Sequence, residues 1–584
     1  MNPARLTPTV VVAAAAVVLL GNLGGPALWD EDEPKNAACS AEMLDRGDWI
    51  VPTYNGRLRV EKPALVNWVH MAGFAVAGRT EAGARIGSAT LTIGSALLTW
   101  RVATTLLGGT AGLWGGLAMA TCIATAVSGR SATPDAPLTF CTTLALWCFV
   151  AARRGRAPGE PGDARWSAAC GAALGAAVLA KGPVGIVLPM AAFIAYSFWE
   201  SGTEGGPLLS ARRAWAGLQA CRPAILGACA IAVALPWYAA VTIRTDGAWL
   251  DRFLLVHNVG RFAAPMEGHD GSSLLYYPAV LAVGFFPWSI VLAAALLHAA
   301  ALSRAGAAEV EPRRRSGVRL MACWLACWVV AFSAAGTKLP GYVWPAYPAL
   351  AALIGDFLAS WIRGECRCTS VCRDPRAAME RVMALAWSIL FLAGAAMTVG
   401  LTLTAPSIPR LGTLAPLGLV PMAGAVAAWH FQTRSHRGAA IGILAATALV
   451  LVAVLASAGA GAVGGAHAAR SLVASLGERP ARGAWAGFGS VPPSVVFYAG
   501  DTIPSLESTE AVSAHLASRP DAHLLVDARF EMNLPSRMPE GFGVLARRQP
   551  LFGPGLLVIG PLSSTAPTDR PETPLAWNAP TTPR

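Results

Sequence analysis

Apolar stretches about as long as a bilayer is thick recur along most of this 584-residue chain. A helix needs about 20 mostly apolar residues to cross a membrane. Candidate stretches occupy residues 8–28, 82–106, 109–127, 136–152, 166–181, 183–199, 224–243, 277–302, 317–336, 340–362, 383–404, 412–430 and 438–458. A soluble core cannot hold so many such segments. The pattern therefore predicts a polytopic α-helical membrane protein with about thirteen transmembrane helices in residues 1–465.

Arginines concentrate in alternate loops between these stretches. Because basic residues accumulate on the cytoplasmic side of a membrane, these loops predict an N-terminus inside and a C-terminus outside the cytoplasmic membrane. The main basic loops cover residues 153–165, 212–222, 304–319, 363–381 and 434–437. The net charge of +11 is thus the signature of membrane orientation, and no nucleic-acid partner is expected.

The last part of the chain is less apolar. Short β-branched and apolar runs predict strands at 494–498, 524–527 and 555–559, and residues 509–517 predict a helix. We therefore expect a small extracytoplasmic α/β domain over residues 466–562. The Pro/Thr-rich tail 563–584 is predicted to be disordered.

The first outer loop, residues 29–81, has the composition of a chemical site. It opens with four consecutive carboxylates, Asp30, Glu31, Asp32 and Glu33. A surface helix is predicted over 34–46, ended by Gly47, and Asn55-Gly56 is typical of a turn. The loop is therefore expected to fold on the membrane surface.

Lysine use supports this interpretation. The sequence holds 45 Lys and Arg in total, yet its only lysines are Lys35, Lys62, Lys181 and Lys338, and all four fall on the predicted outer side. Lysine is a compact cation on a flexible stem, which suits it to bind phosphate as a point charge. We interpret the four lysines as one functional cluster.

A second outer loop, residues 244–276, adds His257 and Arg261. Their i, i+4 spacing places them on one face of a possible helix. Asp135, after a short outer turn, adds another carboxylate. Glu61 and His257 are candidate ligands of a divalent metal ion, which would be the only cofactor.

Carboxylates and fixed cations over an apolar bed suit a substrate that is both anionic and lipidic, such as a polyprenyl-phosphate sugar. A carboxylate would take the proton of an acceptor hydroxyl as that hydroxyl attacks the anomeric carbon. Cations would stabilise the departing phosphate, and single displacement would invert the anomeric centre. A transporter or flippase of lipid-linked sugars is the alternative, and a non-catalytic scaffold is a third reading.

Several motifs, in order, resemble those of a known family. They are Asp32-Glu33, Glu42-Met-Leu-x-x-Gly47-Asp-Trp, Asn55-Gly, Glu61-Lys-Pro63, Asp135-Ala, Ala180-Lys-Gly-Pro183, His257-Asn-x-x-Arg261-Phe, Phe286-Pro-Trp288 and Lys338-Leu-Pro-Gly-Tyr342. The chain resembles the bacterial membrane glycosyltransferases related to the 4-amino-4-deoxy-L-arabinose lipid A transferase and the dolichyl-phosphate-mannose–protein mannosyltransferases. That resemblance implies the GT-C fold, a polyprenyl-phosphate sugar donor, and a lipid, protein or glycan hydroxyl as acceptor.

The resemblance also implies roles for individual residues. The catalytic candidates are Asp32, as the base, and Asp135, with Asp30 and Glu31 as rival bases. Lys62 would be a ligand of the lipid phosphate, and Lys181 and Lys338 would line the same cavity. By their charge and their place in the predicted outer loops, Lys35 and Arg261 join these three as donor-phosphate candidates. The metal candidates are Glu61 and His257. The chain departs from the family pattern at Lys35, Asn36 and Ala38, where Arg, Tyr and Glu are expected.

Overall fold

The computed structural model describes residues 3–156, 160–201, 219, 221–260, 273, 275–305, 309–367, 374–406, 408–464, 467–476, 480–534, 539–550 and 554–562. It divides into two compact units, Met1–His467 and Ala468–Arg584. Each unit is described by itself. Arg261 and the tail 563–584, for which predictions were made, lie outside the described residues.

The first unit is almost entirely helical. Its first nine helices are α1 (Pro3–Leu20), α2 (Asp32–Arg46), α3 (Leu65–Ala77), α4 (Glu81–Leu107), α5 (Gly109–Ala120), α6 (Ile123–Ser128), α7 (Asp135–Ala152), α8 (Ala164–Lys181) and α9 (Val184–Ser201). Further α-helices are Pro223–Arg244, Ala248–Asp251, Tyr276–Gly284, Leu292–Arg304, Pro312–Ala334, Tyr347–Arg363, Pro375–Leu403, Pro409–Gly412, Leu419–Thr433, Arg437–Val454 and Ala460–Gly464. π-helical segments cover Arg252–Gly260 and Leu455–Gly459, and 3-10 turns cover Trp288–Val291, Pro340–Ala346 and Ala415–Gly418.

The polytopic helical architecture is as predicted, and every predicted span overlaps a helix. Within the described residues, seven helices are long and apolar enough to cross a membrane, or eight when one bent pair counts as a span. The other predicted spans fall on helices that are shorter, interrupted or less apolar. The count of thirteen therefore stays a prediction.

Several predicted spans are not continuous helices, and two of them illustrate this. The predicted span 8–28 ends as a helix at Leu20, and the predicted span 277–302 bends by 120° between Tyr276–Gly284 and Trp288–Arg304. Pro287 lies at the second break. A proline has no N–H to give to the helix and pushes the preceding residue away from the helical conformation. Apolar content alone does not reveal such a break.

The helix Tyr347–Arg363 forms the centre of the unit, and its residues from Tyr347 to Trp361 are all buried. It packs closely on α5. A Cβ atom on Gly355 would lie 2.2 Å from the carbonyl oxygen of Ala111, so only glycine allows this approach. Small residues at helix contacts of this kind are typical of packing within membranes.

The outer loop 29–81 is folded. Helix α2 ends at Gly47, whose φ is 63°, as the sequence predicts. A hairpin of β1 (Thr53–Tyr54) and β2 (Arg57–Leu58) turns at Asn55-Gly56. Helix α3 then completes the loop, although its apolar sequence gave no separate prediction.

A buried ion pair joins this loop to the helices beneath it. The Glu33 carboxylate, in α2, accepts hydrogen bonds from Nε and Nη2 of Arg85, in α4, at 2.9 and 2.6 Å. It also accepts from the backbone N–H groups of Trp29 and Ala132 at 2.9 and 2.8 Å. The guanidinium of Arg85 donates in addition to the carbonyl oxygens of Leu23, Pro26 and Ala27. One pair of charges thus holds three outer segments in place.

The second unit contains a five-stranded sheet of order β4-β3-β5-β7-β6. Its strands are β3 (Trp485–Phe488), β4 (Ser505–Leu506), β5 (His523–Asp527), β6 (Phe542–Arg548) and β7 (Leu556–Pro561). Strand β3 pairs in parallel with β4 and β5, whereas β7 is antiparallel to β5 and β6. Helices Ala468–Ala474, Pro493–Ala499 and Thr509–Ser518 accompany the sheet.

The strand predicted at 494–498 was wrong, because this segment is the helix Pro493–Ala499. Proline at the first helical position fixes φ and needs no hydrogen-bond acceptor. Gly500 ends the helix with a φ of 69°. These two end signals outweigh the strand preference of the β-branched residues between them. The strands predicted at 524–527 and 555–559 and the helix predicted at 509–517 are present.

We expect Glu33→Gln to destabilise the protein by roughly 3–5 kcal/mol, because it leaves the Arg85 guanidinium buried beside a neutral amide. The matched control is Asp45→Asn, since Asp45 pairs with Arg79 on the exposed surface. The loss of that pair should cost less than about 1 kcal/mol. Thermal unfolding in lipid nanodiscs measures both, and equal unfolding temperatures for the two variants would refute the structural role of Glu33.

Candidate active site

Asp32 is the first residue of α2, and its carboxylate lies among four cations. The side chain is exposed to solvent, although nearby protein atoms partly desolvate its carboxylate. Burial raises the pKa of Asp32, but the positive charges of Lys62, Arg59, Lys181 and Lys35 outweigh it and hold the pKa below its ordinary value. Asp32 is therefore ionised, and an anion beside it would meet a positive field.

Glu61 links two of these cations. Its Oε1 lies 3.2 Å from Nζ of Lys35, and its Oε2 lies 3.0 Å from Nε of Arg59. Burial raises the pKa of Glu61, but Arg59 and Lys35 together lower it to about 2. The Glu61 carboxylate is thus a permanent anion whose two oxygens each face one cation.

Sequence analysis missed Arg59, because the search for phosphate ligands concentrated on lysine. Residues i and i+2 of an extended chain point to the same side. Arg59 precedes Glu61 by two residues just after β2, and this i, i+2 spacing was the available signal. Its side chain is only 3% exposed, which places a full charge inside the wall of the site.

Asp135 begins α7, and its carboxylate forms an ion pair with Lys181 at the end of α8. The ammonium of Lys181 also lies 4.7 Å from the centre of the Tyr342 ring. A Cβ atom on Gly341 would lie 3.0 Å from Oδ2 of Asp135. The segment that follows Lys338 therefore packs directly against the Asp135–Lys181 pair, and the buried Lys338 lies three residues before Gly341.

The two rival bases have other surroundings. Oδ2 of Asp30 lies 3.4 Å from Nε2 of His467. Glu31 is exposed and directly precedes α2. Of the acidic run, Asp32 is the carboxylate on which the site cations act, whereas Glu33 belongs to the buried pair with Arg85.

The predicted metal site does not fit the structure at Glu61. Both oxygens of that carboxylate already face cations. Among the residues that the structure describes, no three His, Cys, Asp or Glu side chains form a group that could hold a metal ion. His257 lies in the helical segment Arg252–Gly260.

The assembled site contains three carboxylates, those of Asp32, Glu61 and Asp135. Four cations accompany them, on Lys35, Arg59, Lys62 and Lys181. The excess positive charge suits one further anion, and the ionised Asp32 can accept a proton from a neutral group that lies beside that anion. Residues from four separate segments build this arrangement, so it depends on the folded outer loop.

Comparisons with known proteins identify the family. The sequence profile described as dolichyl-phosphate-mannose-protein mannosyltransferase matches residues 61–237. The undecaprenyl phosphate-α-4-amino-4-deoxy-L-arabinose arabinosyl transferase of Pectobacterium carotovorum is 30% identical over 433 residues, which cover 72% of this chain and 70% of that relative. The enzyme of the same name from Pseudomonas aeruginosa is 32% identical over 371 residues, or 62% of this chain and 61% of that relative.

Solved structures agree on the fold. The crystal structure of ArnT from Cupriavidus metallidurans bound to undecaprenyl phosphate matches with a TM-score of 0.70 and 21% identity, covering 94% of this chain and 97% of that one. Its apo form matches with a TM-score of 0.73 and 19% identity, over 96% and 98% of the two chains. The expected GT-C architecture is thereby confirmed. The chain belongs to the family of membrane glycosyltransferases that includes the undecaprenyl phosphate-α-4-amino-4-deoxy-L-arabinose arabinosyl transferases.

Proposed function

We propose that this glycosyltransferase moves a sugar from a polyprenyl-phosphate carrier to a hydroxyl group at the outer face of the cytoplasmic membrane. The observation that carries the proposal is the ionised carboxylate of Asp32 among four cations. A proton acceptor and an anion-binding field lie together there, and transfer from a lipid phosphate requires both. Membership of the family supports the same reaction.

In this reaction the Asp32 carboxylate accepts the proton of the acceptor hydroxyl. The hydroxyl oxygen forms a bond to the anomeric carbon while the bond from that carbon to the phosphate oxygen breaks. The electron pair of the broken bond leaves with the lipid phosphate, so the configuration at the anomeric carbon inverts. The leaving phosphate is already an anion and needs no protonation in the step.

The cations bind the donor phosphate and stabilise its charge. Lys62, adjacent in sequence to Glu61, and Lys35 bind the phosphate and stabilise the charge that develops on it. Asp135 orients Lys181 through their ion pair, which gives this carboxylate a positioning part in the catalytic set. Lys338 and Arg261 complete the proposed donor-binding group, as the resemblance implies.

The donor that we propose to assay first carries 4-amino-4-deoxy-L-arabinose on undecaprenyl phosphate, because the relatives are named for it. A membrane lipid is the first acceptor to examine, with protein and glycan hydroxyls next. Mass spectrometry of surface lipids and glycoproteins from a deletion strain identifies the acceptor by the sugar mass that disappears.

Replacement of Asp32 by Asn should lower transfer by about 10²–10⁴-fold, which is the usual contribution of a general base. The matched control is Asp30→Asn, because Asp30 belongs to the same acidic run but pairs with His467. Sugar transfer from the lipid-linked donor, measured in purified proteoliposomes, compares the two variants. Full activity of Asp32→Asn, or a larger loss in Asp30→Asn, would refute the assignment, and donor movement without product would favour the transporter.

The charge of Lys62 should set the acid limb of the pH profile of kcat/KM. Activity falls as Asp32 becomes protonated, and Lys62 is the strongest of the cations that lower the pKa of Asp32. Lys62→Gln raises this pKa, so its acid limb should move to higher pH. Arg57→Gln removes an exposed cation from the hairpin that precedes Lys62 and should leave the limb in place. An unchanged limb in Lys62→Gln would contradict the electrostatic role.

Chelation tests whether a divalent metal binds at Glu61 and His257. Because Lys35 and Arg59 neutralise the Glu61 carboxylate, we expect sugar transfer to survive incubation with EDTA and removal of the chelate. Loss of transfer that is restored by added Zn²⁺ or Mg²⁺ would show that a metal displaces one of these cations.

A further inference from the structure

Arg59 is fixed on every side. Its backbone N–H donates to the carbonyl oxygen of Pro52 at 3.0 Å, and its own carbonyl oxygen accepts from Nε1 of Trp249 at 2.9 Å. Its guanidinium donates to the carbonyl oxygen of Lys35 at 3.0 Å and to Oδ1 of Asn36 at 2.7 Å. Nε of the guanidinium also donates to Oε2 of Glu61 at 3.0 Å. Such an arginine cannot follow an incoming substrate.

The side chain of Lys35 is held less firmly than that of Arg59. Its side chain is 29% exposed, against 3% for that of Arg59. The contacts described for its ammonium are the ion pair with Glu61 at 3.2 Å and the ring of Tyr54, whose centre lies 5.7 Å away. A lysine side chain has a flexible stem and rotatable donors, so Lys35 can change partners at little cost.

Glu61 therefore has one permanent partner and one exchangeable partner. A half-buried carboxylate that lost its only cation would bear a large desolvation cost. Because Oε2 stays with Arg59, Oε1 can release Lys35 without leaving the carboxylate uncompensated. Oε2 thus keeps a structural contact with Arg59, whereas the contact of Oε1 with Lys35 can be exchanged.

We infer that Lys35 passes from Glu61 to the phosphate when the lipid binds, and that Arg59 is the positioning residue that makes this exchange possible. The inference rests on the proposed function, which supplies the phosphate. The site therefore binds its donor by exchanging one anion for another at Lys35. In the free protein, the ion pair with Glu61 keeps the Lys35 ammonium at the site before the phosphate binds.

Binding of undecaprenyl phosphate to the full-length protein in nanodiscs tests the exchange, because it needs no turnover. Arg59→Gln makes Lys35 the only partner of Glu61, so affinity should fall by about tenfold or more. Glu61→Gln frees Lys35 and should bind at least as tightly as wild type. The double variant has no uncompensated carboxylate, so it should regain most of the affinity that Arg59→Gln loses.

The exchange and a merely structural role of Arg59 predict opposite effects of adding Glu61→Gln to Arg59→Gln. If Arg59 only supported the fold, the double variant would bind as poorly as Arg59→Gln or worse, and the inference would fail. Arg59→Lys keeps the charge but not the planar fork, and should bind within about threefold of wild type if charge compensation decides. Its unfolding temperature shows whether loss of fold explains any weaker binding.

Kinetics give a second readout. The exchange belongs to donor binding, so Arg59→Gln should raise KM for the donor more than it lowers kcat. A fall in kcat alone would overturn the inference. If wild-type protein binds no undecaprenyl phosphate at all, the proposed function fails, whereas binding without coupling between Arg59 and Glu61 refutes only the exchange.

Discussion

The buried pair of Glu33 and Arg85 is the interaction on which the folded loop 29–81 of the first unit depends. Buried charges are costly unless they are paired and hydrogen-bonded, and this pair satisfies both conditions. Since Glu33 lies between Asp32 and Lys35 in α2, the bonds that hold its carboxylate also fix the start of that helix. The bond from Ala132 to Glu33 brings the turn before Asp135 to the same place. One helical turn thus carries both the buried structural carboxylate, Glu33, and two charged groups of the candidate site, Asp32 and Lys35.

In the candidate site near the Glu33–Arg85 pair, most charges are paired with charges of opposite sign. The Asp135–Lys181 and Glu61–Arg59 pairs keep two cations and two carboxylates in fixed positions. Exposure rises towards Asp32, so the most solvent-accessible carboxylate is the one proposed to accept the proton. With the other two carboxylates already paired, an anion could bind beside Asp32 without leaving a buried charge unpaired.

Sequence alone predicted the features that depend on local chemistry. Helix α2, its end at Gly47, the Asn55-Gly56 turn and the proximity of lysines to an acidic loop follow from capping, turn and charge preferences. Features that depend on distant contacts were missed. The role of Arg59 follows from its hydrogen bonds to Asn36 and Glu61, which the sequence does not show. The break near Pro287 lies inside an apolar stretch that looks like a continuous span. The helix Pro493–Ala499 shows the reverse case, in which local end signals were present but strand propensity was given more weight.

The structure shows the surroundings of Asn36 and Ala38, two of the positions at which the chain departs from the family pattern. Asn36 is fully buried and Ala38 is 5% exposed, so both side chains belong to the support of α2. The amide of Asn36 donates to the carbonyl oxygen of Ala132 at 2.9 Å and accepts from Arg59 at 2.7 Å. It thus bridges the turn that leads to Asp135 and the arginine that holds Glu61. A change at position 36 therefore alters how firmly Arg59, and through it Glu61, is held, and also acts on the turn before Asp135.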